Sequence, residues 1–96
     1  MTKYIAIGHF KESENIVSVA LTARSIKDMK EQCAGNTFVA WAVFSEKKVE
    51  MMKNLNSFDL YEEVKKSTTS YRRWNVVTDY VNQCMDIMEE KLARIN

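Results

Sequence analysis

The stretch KYIAIGHFKESENIVSVALTA, residues 3–23, decides the fold of this chain. It contains two runs rich in β-branched and aromatic residues, KYIAIGHF and IVSVALTA, with the polar segment KESEN between them. Two such runs joined by a short polar segment are typical of a β-hairpin. In the second run Val17, Val19 and Leu21 alternate with small or polar residues, which predicts a half-buried strand. The first run is apolar on both sides, which predicts a central strand.

The next segment, RSIKDMKEQCAGN, predicts a short helix. Ser25 is in position to cap its N-terminus, and Asp28 three residues later completes a capping box. Apolar residues at helical spacing predict its inward stripe: Ile26, Met29 and Cys33. We expect the helix to stop at Gly35 through a left-handed residue.

A third apolar run, NTFVAWAVF, predicts a strand, and Ser45 after it can cap the helix EKKVEMMKNL. Asn56 or Ser57 caps a further helix, FDLYEEVKK. From about Thr69 to Arg94 the pattern predicts one long helix, because apolar residues recur at steps of three and four. These residues are Trp74, Val77, Val81, Cys84, Met88, Leu92 and Ile95. Four methionines on predicted helices are expected in the core: Met51, Met52, Met85 and Met88.

The predicted fold class is therefore α+β, in one domain covering residues 1–96. A β-β-α-β unit forms a three-stranded, mostly antiparallel sheet, and two or three helices follow it, the last one long. We expect these helices to pack on one face of the sheet. At 46% hydrophobic and 28% charged residues, the composition is that of an ordinary globular domain.

Charge and cysteine content narrow the class of protein. Acidic and basic residues are interleaved and the net charge is +1, which weakens the case for a nucleic-acid-binding domain. Cys33 and Cys84 form no CxxC pair, so we expect two buried, reduced thiols in a cytoplasmic protein. The N-terminus does not resemble a signal peptide, and no apolar run approaches the ~18–20 residues of a membrane span.

Signatures of catalysis and metal binding are lacking in the sequence. His9 is the single histidine, and nothing near it marks a nucleophile or an orienting acid. We therefore expect a strand histidine with a satisfied ring. Gly8 stands alone in a strand, which indicates a bulge or a tight contact rather than a phosphate loop. The cysteines, His9 and the carboxylates show no metal-ligand spacing, so we expect no enzyme, no cofactor and no metal.

The segment TTSYRRWN, residues 68–75, is the most distinctive candidate site. Arg72 and Arg73 stand between Tyr71 and Trp74, and cations in a first helical turn oppose the helix dipole. The arginines can pair with carboxylates of the preceding helix, contact another protein as interface hot spots do, or bind nucleic acid beside a stacking aromatic. Trp74 continues the apolar stripe, so we expect it in the core.

Two further features suggest association. Lys65 and Lys66 precede the arginines and could contact phosphates together with them. The last helix is predicted to be longer than the strands, so Leu92 and Ile95 are expected to lack an internal partner. A homodimer through this helix or a foreign protein would cover them.

The leading functional hypothesis is a small non-enzymatic binding module that docks on a larger protein or nucleoprotein. Its size and plain composition suggest a phage or mobile-element inhibitor of a host defence complex such as CRISPR–Cas. The alternative is a nucleic-acid-binding regulator that uses the Arg/Lys patch around residues 65–74. The residues predicted to bind a partner are Tyr71, Arg72, Arg73, Lys65, Lys66, Leu92 and Ile95.

Overall fold

The computed structural model of the chain describes residues 1–69 and 77–95. It confirms the predicted α+β class, with a three-stranded sheet followed by helices of which the last is long. The elements in chain order are β1 Thr2–Phe10, β2 Val17–Ala23, α1 Ile26–Gly35, β3 Phe38–Ser45, α2 Glu46–Met52, α3 Ser57–Thr69 and α4 Val77–Ile95.

The sheet has the strand order β2-β1-β3, and β1 is antiparallel to both neighbours. β1 is therefore the central strand, as its apolar character on both sides predicts. β2 and β3 run parallel to each other on either side of it, so the connection between them must cross β1 on one face of the sheet. Helix α1 makes that crossing.

The two faces of the sheet carry separate cores. Ile5 and Ile7 of β1 face a large cluster built with α2, α3 and α4. Tyr4 and Ala6 point to the opposite face and pack in a smaller cluster with α1. The helices that follow the β-β-α-β unit therefore share one face of the sheet, as expected, whereas α1 lies on the opposite face, where the crossover from β2 to β3 runs.

A β-bulge interrupts the pairing of β1 with β3. Ile7 lies opposite Ala42, but Gly8 lies opposite Ala40, so Trp41 is an extra residue on β3. The bulge lets the consecutive residues Trp41 and Ala42 both belong to the large cluster. A Cβ atom placed on Gly8 would lie 1.9 Å from the carbonyl oxygen of Val39. The prediction that Gly8 marks a bulge or tight contact is confirmed.

Helix α1 begins as predicted and ends differently. The Ser25 hydroxyl accepts a hydrogen bond from the Asp28 amide at 3.1 Å, which confirms the N-cap. Ile26 was expected on the inward stripe but is 53% exposed, because it occupies the first turn at the margin of the sheet. The left-handed residue is Thr37, with φ 57°, and not Gly35. The helix continues through Gly35, Asn36 follows as its C-cap, and the left-handed turn comes at Thr37, two residues after Gly35.

Side-chain caps also set the starts of α2 and α3. The Ser45 hydroxyl accepts from the Lys48 amide at 3.2 Å, as predicted. Asn56 and Ser57 were both candidates for the cap of α3. The side-chain Oδ1 of Asn56 accepts a hydrogen bond from the Asp59 amide at 2.8 Å, so Asn56 is the cap.

Helix α4 confirms much of the predicted apolar stripe, with Val81, Cys84, Met88 and Leu92 buried. Its 19 residues span about 28 Å. Of the helix predicted from about Thr69 to Arg94, Thr69 is described as the last residue of α3 and Val77 as the first of α4, and residues 70–76 between them lie outside the described part. The remaining stripe residues, Trp74 and the side chains of Val77 and Ile95, lie outside the part that is described.

The burial of Leu92 contradicts the expectation that this end of α4 has no internal partner. Leu92 is only 6% exposed and belongs to the large cluster, so it does not lack an internal partner. The expectation compared the helix with the strands and left out the hairpin connection. Ile16 of that connection packs against the same cluster, and it lines one recess together with Ile87 of α4.

The sulfur-containing residues follow the predictions with one exception. Neither Cys33 nor Cys84 forms a disulfide within the described residues, and both are buried, as expected. Met52, Met85 and Met88 are buried in the core, whereas Met51 is 55% exposed on α2.

Candidate functional site

Helix α3 is anchored on the sheet through one side of its surface. Leu60 and Val64 recur at helical spacing and are buried in the large cluster, and Thr68 continues the same stripe. The Thr68 hydroxyl donates to the Val64 carbonyl at 2.8 Å, which satisfies this buried polar group within the helix. The opposite side of α3 is therefore held in a fixed orientation toward solvent.

The outer face of α3 carries an aromatic and basic set of side chains. We define it by residues that lie at spacings of three and four along the helix: Phe58, Tyr61, Glu62, Lys65 and Lys66. Phe58 is 72% exposed, whereas Tyr61 lies at the margin of this face, partly buried against the large cluster, and Lys65 is partly buried. Two of the predicted partner-binding residues, Lys65 and Lys66, are thus brought onto one face with Phe58.

Phe58 is a residue that the sequence reasoning did not single out. A signal was present, because Phe58 lies outside the stripe formed by Leu60 and Val64 and so falls on the opposite side of the helix. A large aromatic residue on the polar side of a predicted helix is informative, because it is exposed to solvent and core packing does not explain its presence there.

Acidic groups balance the basic charge beside this face. The Lys48 ammonium lies 2.7 Å from a carboxylate oxygen of Glu63. The hydrogen bond from Lys48 lowers the pKa of the Glu63 carboxyl, with further lowering by the charges of Lys48 and Lys66, while burial opposes the shift. These contacts disfavour a simple phosphate-binding patch, which would leave several cations facing outward without acidic neighbours.

Ser67 fixes α3 against the outer edge of β3. Its hydroxyl accepts a hydrogen bond from the Val43 amide and donates to the Val43 carbonyl, both at 3.0 Å. One side chain therefore takes the place that a neighbouring strand would fill at this position. The contact fixes the position of α3 along β3 and therefore the orientation of its outer face.

The other predicted partner-binding residues are Tyr71, Arg72, Arg73, Leu92 and Ile95. Tyr71, Arg72 and Arg73 fall in segment 70–76, outside the described residues, so their roles stay predictions. The side chain of Ile95 is likewise outside them. Leu92 lies in the core, which removes the reason for assigning it to a partner.

His9 of β1 lies in a recess that it shares with Trp41 of β3 and Tyr80 of α4. Its Nδ1 donates to the carbonyl of Phe10 at 2.8 Å, which satisfies the ring as predicted. The imidazole meets Trp41 edge to face at 5.6 Å, and Trp41 meets Tyr80 of α4 at 4.0 Å between ring centroids. These contacts tie the start of α4 to the bulge of β3 and need no catalytic role to explain them.

Features of a metal site or a membrane span are lacking among the described residues. Within residues 1–69 and 77–95, no three side chains of His, Cys, Asp or Glu are grouped so that they could hold a metal ion. The helices described there also include none with the length and apolar character to cross a membrane.

A comparison of the chain with models of protein families, with curated proteins and with solved structures found no significant match.

Proposed function

We propose that this chain is a non-catalytic binding module that docks on a larger protein through the outer face of α3. The observation that carries the proposal is the 72% exposure of Phe58 on a helix whose opposite side is anchored in the core. Protein interfaces are enriched in aromatic residues at their centres and surround them with polar side chains. Phe58 with Tyr61, Lys65 and Lys66 has that composition.

The charges beside the face favour a protein partner over a nucleic acid. Lys48 is paired with Glu63, Lys66 acts on the same carboxylate, and Glu62 lies on the outer face itself. A protein surface with mixed charge is complementary to such a pattern, whereas a phosphate backbone would meet the carboxylates as like charges. The alternative of a nucleic-acid-binding regulator is tested by the same experiment.

The size of the expected effect follows from the area that Phe58 would bury. Full burial of a Phe side chain is worth about 1.5–3 kcal/mol. The substitution Phe58→Ala should therefore weaken binding about 10- to 100-fold. Because the ring is exposed in the isolated chain, the melting temperature should change by only a few degrees.

The experiment compares immobilised wild-type chain with Phe58→Ala and Lys65→Ala variants in a lysate of the native host. Captured proteins are quantified by mass spectrometry, with and without nuclease, and over a salt series. Phe10→Ala and Lys47→Ala are matched controls, since both residues are exposed and lie on other elements. A protein that is captured by the wild type and both controls but lost with Phe58→Ala supports the proposal.

Other outcomes would contradict the proposal. Capture that disappears with nuclease and falls steeply with salt would establish the nucleic-acid alternative. Capture that is equal for wild type and Phe58→Ala would show that α3 is not the docking surface.

The more specific hypothesis of an inhibitor of a host defence complex rests on chain size and composition alone. Its test is the addition of the purified chain to a reconstituted CRISPR–Cas effector, with target cleavage as the readout. If Phe58→Ala weakens the inhibition, the inhibitory activity depends on the same outer face of α3 that the docking proposal uses.

A further inference from the structure

The recess that His9 shares with Trp41 and Tyr80 has a volume of about 480 Å³, which is within the range of small-ligand pockets. It lies where the end of β1, the bulge of β3 and the start of α4 meet, and the connection between β1 and β2 borders it. The recess shares no residue with the outer face of α3. A role for this recess therefore goes beyond the proposed function.

The floor of the recess is aromatic. Trp41 is the extra residue of the bulge in β3, and it is only 5% exposed. The His9 imidazole meets the Trp41 ring edge to face at 5.6 Å, and the Tyr80 ring meets it at 4.0 Å between centroids. All three rings line the recess. Aromatic rings attract cations to their faces, and the indole of tryptophan does so most strongly.

His9 supplies the recess with a hydrogen-bond acceptor. Its Nδ1 lies 2.8 Å from the carbonyl oxygen of Phe10, and a carbonyl oxygen only accepts, so Nδ1 carries the proton. In the neutral ring Nε2 is then an acceptor. Nε2 lies at the end of the ring away from the backbone, and it has no hydrogen bond with any residue in the ranges 1–69 and 77–95. A polar ligand group at this point must therefore donate a hydrogen bond.

Two carboxylates stand at the rim of the recess. Glu12 and Glu14 of the hairpin connection both line it, and both are exposed. Neither forms a salt bridge with another residue that the structure describes. Among the described residues of the lining, Lys11 is the one basic side chain, so two carboxylates oppose one ammonium. The charge at the rim favours a cation.

The backbone of the hairpin connection is held without the carboxylates. The Ser13 amide donates to the Phe10 carbonyl at 2.9 Å, and the Asn15 amide donates to the Ser13 hydroxyl at 3.1 Å. A turn that is already ordered costs less conformational entropy when a ligand binds. Because these hydrogen bonds do not use the two glutamates, glutamine at their positions should leave the turn intact.

We propose that this recess binds a guanidinium group. A guanidinium is planar, keeps its positive charge and carries only hydrogen-bond donors. Its N–H groups donate to Nε2 of His9 and to the carboxylates of Glu12 and Glu14, while its plane lies over the aromatic floor. An ammonium group suits the recess less well, because it is compact and strongly hydrated and does not stack on a ring.

The guanidinium group has two possible sources, a free guanidino compound and an arginine side chain of a partner protein. Both present the same planar cation to the recess. A guanidino ligand of this size should bind with a Kd of about 0.1–10 mM. Because the carboxylates are exposed, the binding should weaken as the salt concentration rises.

The test is a titration of the isotope-labelled full chain, followed by NMR, with agmatine and with N-acetylarginine amide. Agmatine represents a free guanidino compound, and N-acetylarginine amide represents an arginine side chain within a protein. N-acetylcitrulline amide has nearly the same shape without the charge, so it is the matched ligand control. The signals to follow are the amides of the hairpin connection and the Nε2 resonance of His9, which moves when this nitrogen accepts a hydrogen bond.

Two recess variants and one control variant locate the site. His9→Phe keeps an aromatic ring beside Trp41 and removes the acceptor. Glu12→Gln combined with Glu14→Gln removes both rim charges, and this variant still decides the question if His9→Phe fails to fold. The matched charge control changes two exposed glutamates on α1 and α4 that do not line the recess: Glu31→Gln combined with Glu89→Gln.

We expect agmatine or both guanidino ligands to bind, and N-acetylcitrulline amide to bind at least about 5-fold more weakly. The rim variant should weaken binding about 2- to 30-fold, and His9→Phe should weaken it about 2- to 10-fold. Lys11→Ala should strengthen binding about 2- to 5-fold, because it removes the opposing cation. The charge control should leave the Kd unchanged.

The two ligands separate the sources. Binding of agmatine alone would assign the recess to a free guanidino compound, whereas binding of both would admit an arginine side chain of a partner protein. Three results would overturn the inference: no shift of the followed signals with either ligand above that concentration range, equal binding of N-acetylcitrulline amide, or equal losses for the rim variant and the charge control. The last result would mean that net charge, and not the recess, attracts the ligand.

Discussion

The bulge at Gly8 allows the cost of a single methyl group to be worked out. The added Cβ of Gly8→Ala would lie 1.9 Å from the Val39 oxygen and 2.9 Å from its carbon, about 1.5 Å short of ordinary contact at 3.4 Å. Both atoms belong to the backbone, so no side-chain rotation relieves the overlap. β1 and β3 must separate locally, which costs about two ladder hydrogen bonds in addition to the strain.

The expected loss can be converted into a melting temperature. Two hydrogen bonds contribute about 1–3 kcal/mol and overpacking adds about 1–3 kcal/mol, so the total is about 2–6 kcal/mol. For a domain of this size about 1 kcal/mol corresponds to about 4–8 °C. Gly8→Ala should therefore lower the melting temperature by at least about 8 °C in calorimetry, with a matching loss of unfolding free energy in urea.

Gly35→Ala is the matched control. No atom lies within 4 Å of the Cβ position at Gly35, and the residue is helical with negative φ. Alanine there should be neutral or stabilise the chain by up to about 1 kcal/mol, since glycine is the poorer helix former. A Gly8→Ala variant that melts within 2–3 °C (roughly the uncertainty of such a comparison) of the wild type would refute the tight approach of β1 to Val39.

Three further predictions concern single side chains. Thr37→Gly should raise the melting temperature by about 2–4 °C, because it relieves a β-branched residue at φ 57° while loosening the unfolded chain. Ser67→Ala should lower the free energy of unfolding by about 1–2 kcal/mol in urea, because it removes both hydrogen bonds to Val43. Glu63→Gln should destabilise the chain at pH 7 but not in acid. The pKa of Glu63 is lowered by Lys48 in the folded state, so its contribution is present above the ordinary value and lost as the pH falls through the folded pKa.

Each of these has an internal control and a contradicting result. Thr37→Ala keeps the Cβ and should not raise the melting temperature as glycine does. Ser57→Ala, on the same helix as Ser67, should be nearly neutral, and an equal loss for both serines would argue against the contact at Val43. In a Lys48→Met background the Glu63→Gln substitution should lose most of its pH dependence, and a wild-type to Glu63→Gln difference that grows in acid would reverse the sign of the reasoning.

Local patterns in the sequence are sufficient for most of the secondary structure. Val17, Val19 and Leu21 alternate as a half-buried strand does, and Ser25 and Ser45 cap helices as their positions predict. These features depend on neighbours within a few residues. The bulge was indicated by Gly8 alone, since an isolated glycine in an apolar strand usually marks a close approach of backbone.

Features that depend on distant parts of the chain were not predictable in the same way. The placement of α1 on its own face follows from the strand order, which alternation in β1 cannot specify. The burial of Leu92 follows from the position of the hairpin connection beside α4. For the candidate site, Lys65 and Lys66 were identified from their charge, but the exposure of Phe58 depends on which side of α3 meets the core.

The two cysteine thiols lie on opposite faces of the sheet, so each can report on the opening of the helical layer that covers its own face. Cys33 lies in the thin layer beneath α1, where its Sγ contacts the Met29 sulfur at 3.8 Å and burial raises the pKa of its thiol. Cys84 lies in the thicker layer beneath α4. A thiol reagent reaches either one only after its own layer opens. The rate of thiol labelling at Cys33 therefore measures the detachment of α1 from the sheet, and the rate at Cys84 measures the separation of the helices on the opposite face. Both rates can be measured on one sample of the wild-type chain.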